Sequence, residues 1–109
     1  EGRTLDLYGD GSARRDFTHV SDIVRGMMAA LSWKKGFEIL NLGGAHTVTL
    51  LELIRWSERA AGRKARIRRM AVQDGDVPAT YADIRKARRL LGFSPKVGIA
   101  EGVRSLMTT

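Results

Sequence analysis

The segment Thr49-Leu50-Leu51-Glu52, with a glycine at position 62, constrains the fold of this 109-residue chain more than any other feature. A hydroxyl followed three residues later by a carboxylate is a capping box, in which each side chain satisfies the other's free backbone amide at the start of a helix. Gly62 is suited to stop that helix, because glycine takes the left-handed C-cap conformation without a Cβ penalty. Between these signals Leu50, Leu53, Ile54 and Ala61 are expected to face inward.

The flanking segments alternate in type. Thr4 to Tyr8 interleaves apolar and polar side chains and predicts a strand, closed by the turn Gly9-Asp10-Gly11. Phe17 to Val20 reads as briefly extended. Ser21 is expected to cap a helix running to about Leu31, with Asp22 in its first turn and Ile23, Val24, Met27, Met28 and Leu31 on one face. Phe37 to Leu42 predicts a second strand, stopped by Gly43-Gly44, and Arg63 to Val72 a third. Asp83 is expected to cap a helix with the stripe Ile84, Ala87, Leu90 and Leu91, ended by Gly92, with Pro95 beyond. Ile99 to Met107 closes the chain as a last helix. Short strands interleaved with about four helices define an α/β fold, and no internal repeat is present.

Composition narrows the function classes. With no cysteine, disulfides and thiolate metal sites are excluded, and two isolated histidines, His19 and His46, argue against structural zinc. No run approaches the roughly 20 apolar residues of a membrane span, and no signal-peptide pattern opens these residues, so a cytoplasmic protein is expected. The net charge of +7 is dominated by arginine, which favours planar, two-pronged recognition of phosphate or carboxylate. Nucleic acid is one conceivable partner, but no alternation of basic and aromatic residues supports it. Trp33 and Trp56 read as packing groups, and Met27 and Met28 as core fillers rather than a cofactor box.

Two segments carry possible chemistry. Arg15 follows a glycine-rich turn, and its guanidinium could grip diphosphate oxygens, each charge-assisted bond contributing about 1.5–3 kcal/mol. Asp16 next to it could orient the arginine; the alternative reading is a surface ion pair with little net effect. In Gly75-Asp76-Val77-Pro78, glycine permits a tight turn and Pro78 holds the chain extended. An ionised Asp76 offers the two acceptor oxygens that a ribose diol needs, and the Gln73 amide both donates and accepts. Asp and Gly are also ordinary turn residues, so spacing alone leaves both readings open.

Taken together and in order, these pieces resemble the NAD-dependent epimerase/dehydratase group of the extended short-chain dehydrogenase/reductase family. The resemblance runs from Leu7-Tyr8-Gly9 through Arg15-Asp16-Phe17-Thr18-His19-Val20, Asp22-Ile23-Val24, Ile39-Leu40-Asn41-Leu42-Gly43 and Leu50 to Ile54. It continues through Gly75-Asp76-Val77, Ala82-Asp83-Ile84, Leu91-Gly92-Phe93-Ser94-Pro95 and Glu101-Gly102-Val103, and so spans the whole chain. Gln73 with Gly75 to Asp83 looks most like UDP-glucuronate 4-epimerases. UDP-glucose 4-epimerases usually carry arginine where Gln73 stands, and Asp74 departs from the proline common in the glucuronate enzymes.

The resemblance implies the C-terminal, substrate-binding portion of a Rossmann-type fold, residues 1–109, without the N-terminal NAD-binding domain. It implies Arg15 on the UDP phosphates, Asp76 on the uridine ribose, Gln73 beside diphosphate or ribose, and the backbone near Tyr8 facing uracil. Arg14 and His19 gain no ligand role. Such enzymes use NAD held by a glycine-rich turn, and a tyrosine base with a lysine four residues later. These residues contain no such turn, and Tyr81 is followed four positions on by Arg85. The expectation is therefore weak UDP-sugar binding, no NAD bound and no catalysis by this chain alone, with self-association covering an exposed face. The rivals are a basic module binding nucleic acid and a non-functional remnant of an epimerase.

Overall fold

Residues 2–108 are described by a computed structural model. In chain order the elements are β1 (Thr4–Tyr8), β2 (Arg14–Arg15), α1 (Val20–Leu31), β3 (Val48–Thr49), α2 (Leu50–Ala61), β4 (Arg66–Met70), α3 (Arg85–Leu91) and α4 (Ile99–Met107). β1 and β4 pair in parallel, with Thr4 opposite Arg66 and Tyr8 opposite Met70. β2 and β3 form a two-residue antiparallel ladder, Arg14 opposite Thr49 and Arg15 opposite Val48. The α/β architecture with four helices and short strands is as expected.

The chain is a slab of 50 × 34 × 16 Å. Its radius of gyration is 16.5 Å, against about 13 Å for a compact domain of roughly 100 residues. A slab has little interior. Ile84, Ala87 and Phe93 form the core cluster, with Leu40, Leu42, Ala82 and Leu91 packed against it. Leu7 and Val103 are buried elsewhere.

Local chemistry accounts for the helix limits. The capping box of α2 is formed: Glu52 N–H donates to Thr49 Oγ1 at 3.1 Å and Thr49 N–H donates to Glu52 Oε2 at 2.7 Å. Gly62 ends α2 in the left-handed conformation, φ 67°. α1 begins earlier than expected because His19, not Ser21, is its N-cap, with Nδ1 accepting from the Ser21 amide at 3.2 Å. That acceptor role places the ring proton on Nε2, which donates to Ser105 Oγ on α4 at 3.0 Å. At α3 the N-cap residue is Ile84; Asp83, one position upstream, still takes the Arg85 amide at 3.1 Å.

Other expectations are corrected by the packing. Phe37 to Leu42 forms no ladder among the described residues. Leu40 and Leu42 turn toward the core while Phe37 and Ile39 stay exposed, so the alternation of a strand is present but a partner backbone is not. The third strand is shorter than Arg63 to Val72, because only Arg66–Met70 lies opposite β1. Met27 and Met28 are 59% and 61% exposed and fill no core within this chain. Ala61 is exposed as well.

Asp22 is the only fully buried polar side chain among the described residues, at 0% exposure. Its carboxylate accepts the amides of Lys96 at 2.9 Å and Val97 at 3.1 Å, and pairs with Arg25. Burial alone would raise its pKa; the two amides and Arg25 outweigh that and hold the carboxyl below its ordinary value.

Candidate functional site

β2 is placed by β3 on one side and by the 78–80 segment on the other. Arg14 N–H donates to Pro78 O at 2.9 Å and Thr80 N–H returns to Arg14 O at 3.2 Å. This makes a parallel bridge between Arg14 and Ala79. The two neighbouring arginines then diverge, as adjacent strand residues must. Arg14 braces the loop before β3, its Nε donating to Thr47 Oγ1 and its Nη2 to Thr47 O, both at 2.9 Å. Arg15 turns to the other side. Its Nη2 donates to Asp76 Oδ1 at 2.6 Å and to Val77 O at 2.7 Å, and its Nη1 donates to Arg14 O at 2.7 Å.

Asp76 is presented by a tight turn: its own amide donates to Gln73 O at 3.1 Å, and Gly75 takes φ +82°, where a side chain would be strained. Arg15 and Asp76, 61 residues apart in sequence, therefore stand side by side, with side chains 24% and 37% exposed. Gln73 opens the same turn with its side chain exposed. Tyr8 ends β1 opposite Met70, 38% exposed. Neither Gln73 nor Tyr8 has a side-chain hydrogen bond to the Arg15–Asp76 pair.

Asp16 does not orient Arg15, contrary to expectation. Its Oδ1 accepts from Thr18 Oγ1 and Gly44 N–H, each at 2.9 Å, and its Oδ2 from Ala45 N–H at 3.2 Å and Ala82 N–H at 3.4 Å. One carboxylate thus joins the chain after β2, the Gly43–Ala45 loop and the segment before α3. The signal that could have revealed it is Asp16-Phe17-Thr18, an aspartate and a threonine positioned for local side-chain turns, set against the free amides of a Gly-Gly pair. Around this junction lies an open groove of about 470 Å³, lined by Arg15, Asp16, Thr18, Leu40 to Gly43, and Thr80 to Ala82. A second, more apolar hollow under α2 and β1, about 380 Å³ and lined by Leu5, Leu53, Ile54 and Met107, contains none of the expected site residues.

No group of three or more His, Cys, Asp or Glu suited to a metal exists among the described residues. Nor do they fit a dinucleotide. The Gly9–Gly11 turn leads into the short β2 rather than a helix, and the Gly44 amide is committed to Asp16 and Thr18. No helix among the described residues is long and apolar enough to cross a membrane.

The sequence matches the GDP-mannose 4,6 dehydratase family over residues 1–106 and belongs to it. Its fold matches the C-terminal portion of the nucleotide-sugar epimerases of the extended short-chain dehydrogenase/reductase type. It is 39% identical over 105 residues to the UDP-glucuronate 4-epimerase of Thermodesulfobacterium geofontis, covering 95% of this chain and 32% of that protein. Among solved structures it superposes on MoeE5 in complex with UDP-glucuronic acid and NAD with a TM-score of 0.92, at 35% identity, covering 98% of this chain and 36% of MoeE5. It superposes on UDP-glucuronic acid 4-epimerase from Bacillus cereus, in complex with UDP-glucuronic acid and NAD, with a TM-score of 0.91, at 35% identity, covering 98% of this chain and 35% of that one. The chain spans about a third of the length of the relatives it matches.

Proposed function

We propose that these residues hold the nucleotide of a UDP-sugar, of the UDP-glucuronate type, in an NAD-dependent 4-epimerase. The observation that carries this reading is the pairing of Arg15 with Asp76 beside an open groove, in a chain whose solved relatives are described with UDP-sugars bound. Arg15 would turn from Asp76 to the diphosphate, where a planar guanidinium contacts two oxygens at once. Asp76 would accept the ribose hydroxyls. Gln73 lies on the same turn and would reach diphosphate or ribose, while the backbone at Tyr8 would face the base. Asp16 would serve as a positioning residue that keeps the groove walls together.

Oxidation at C4 and re-reduction belong to the NAD-binding part of such an enzyme, and no step of that chemistry is assigned to these residues. By themselves they would bind UDP-sugar weakly, because they supply only part of the contacts. The same reading includes self-association of the chain through the exposed apolar side chains of α1. Nucleic acid is disfavoured, since Arg14, Arg15, Arg25, Arg68 and Arg85 are engaged by acceptors within the chain. Titration calorimetry with UDP-glucuronate tests the assignment. Arg15→Ala should weaken binding about tenfold, the weight of one charge-assisted contact; equal affinity in the variant would refute the phosphate role.

A further inference from the structure

We propose that the Arg15–Asp76 pair is a specificity filter: it admits ligands that bring a diphosphate and a vicinal diol together and disfavours diphosphates that lack the diol. This rests on the nucleotide-sugar reading above and adds a coupling between its two contacts.

The guanidinium of Arg15 is already engaged. Three acceptors, Arg14 O, Asp76 Oδ1 and Val77 O, take hydrogen bonds from its two terminal nitrogens. A diphosphate that reaches for Arg15 also meets the negative charge of Asp76, whose Oδ1 is 2.6 Å from Nη2. It must draw the guanidinium away and leave a carboxylate beside a second anion.

The backbone that presents the carboxylate is held in place. It is fixed on one side by the turn to Gln73 O and on the other by the Arg14–Pro78 and Thr80–Arg14 hydrogen bonds. An ionised carboxylate can only accept, and what it loses with Arg15 must come from donors. A vicinal diol supplies two. A bare diphosphate supplies none and leaves two anions facing each other, partly screened from water. Asp76 therefore does more than add a contact to ribose: it lowers the affinity of Arg15 for every diphosphate that arrives without one.

The test is calorimetric titration of the chain and of Asp76→Asn, which removes the charge and keeps the size, with inorganic pyrophosphate, UDP and 2′-deoxy-UDP. Asp76→Ala serves as a second variant, and circular dichroism checks that both fold. Pyrophosphate should bind both variants about threefold or more tighter than the wild type, while UDP binds them about tenfold more weakly. The wild type's preference for UDP over 2′-deoxy-UDP should largely disappear. Pyrophosphate affinity that is unchanged, lower or absent throughout overturns the filter; so does uniform weakening of all three ligands, the pattern of a merely structural Asp76. If UDP fails to bind the wild type, the nucleotide-sugar reading falls and the filter falls with it; if UDP binds but pyrophosphate gains nothing in the variants, the reading stands and the filter alone falls.

Discussion

Asp22, in the first turn of α1, accepts the backbone amide of Lys96 at 2.9 Å across 74 residues of sequence. With the adjacent Val97 amide it fastens the segment leading into α4 to the start of α1. Both amides need a strong acceptor, and an amide side chain offers only one oxygen. Asp22→Asn should therefore destabilise the chain by about 1–3 kcal/mol, read as a lower urea midpoint at neutral pH. An unchanged midpoint would mean that the carboxylate is not the fastener it looks to be.

The same group sets an acid limit. A carboxyl held below its unfolded value binds protons more weakly in the folded state, so its contribution is complete above the unfolded pKa of about 3.9 and is lost as pH falls through the lower folded value. Stability attributable to Asp22 should be flat above about pH 5 and decline below about pH 4. Urea midpoints across that range, compared with Asp22→Asn, measure it: the gap between the two proteins should narrow on acidification. A gap that widens would contradict the assigned direction.

Asp16 makes the next prediction, because it holds three groove segments through one carboxylate. Asp16→Asn keeps one acceptor oxygen and should release the amides that the other held. Hydrogen exchange at Ala45 and Ala82 should quicken, with a stability loss of about 1–3 kcal/mol. Gly43→Ala probes the same junction from the other side, since an added Cβ would lie 2.6 Å from Ala82 Cβ and 2.8 Å from Asp16 Oδ2. It too should loosen the groove. Exchange rates unaltered at both positions would remove Asp16 from its positioning role.

Asp83 offers a local check by NMR. The Arg85 side chain, and then its amide, hydrogen-bond the Asp83 carboxylate and lower its pKa from 3.8 to about 2. In a carbon-detected titration its carboxyl shift should therefore move only near pH 2, and Arg85→Ala should return it toward the ordinary value. Titration near 3.8 in the unaltered chain would show that the pair is not kept in solution.

Much of this architecture could be read from local chemistry, and the exceptions share a cause. α2 lies between its capping box and Gly62, and α4 and β1 fall on the expected residues, because caps, turn glycines and periodicity are short-range signals. The β2–β3 ladder was not legible: two residues carry no period, and the pairing depends on a loop more than thirty positions away. His19 displaced Ser21 as a cap because its ring also finds Ser105 on α4, a partner invisible to local reading. At the site, Arg15 and Asp76 were separately ambiguous, each as consistent with a solvated turn as with a ligand contact. Only the fold shows them 2.6 Å apart. Asp16 was misread because the amides it holds lie 28 to 66 positions away, and the local Asp16–Thr18 signal does not say which amides those are.

The outward row of α1 bears on how the chain behaves alone. Val20, Val24, Met27, Met28 and Leu31 are all at least half exposed, and Phe37 after the helix is 87% exposed. Covering one such side chain is worth about 1.5–3 kcal/mol, so several buried together can hold an interface. The 109-residue chain should therefore associate at micromolar concentration, giving a light-scattering mass well above its 12.1 kDa. The double substitution Leu31→Lys with Phe37→Ser places a charge and a hydroxyl on that surface, neither of which packs dry against a second copy. It should restore the monomer mass while leaving the helical circular dichroism signal in place. A wild-type mass of 12.1 kDa across the same concentrations would show that these side chains stay wet.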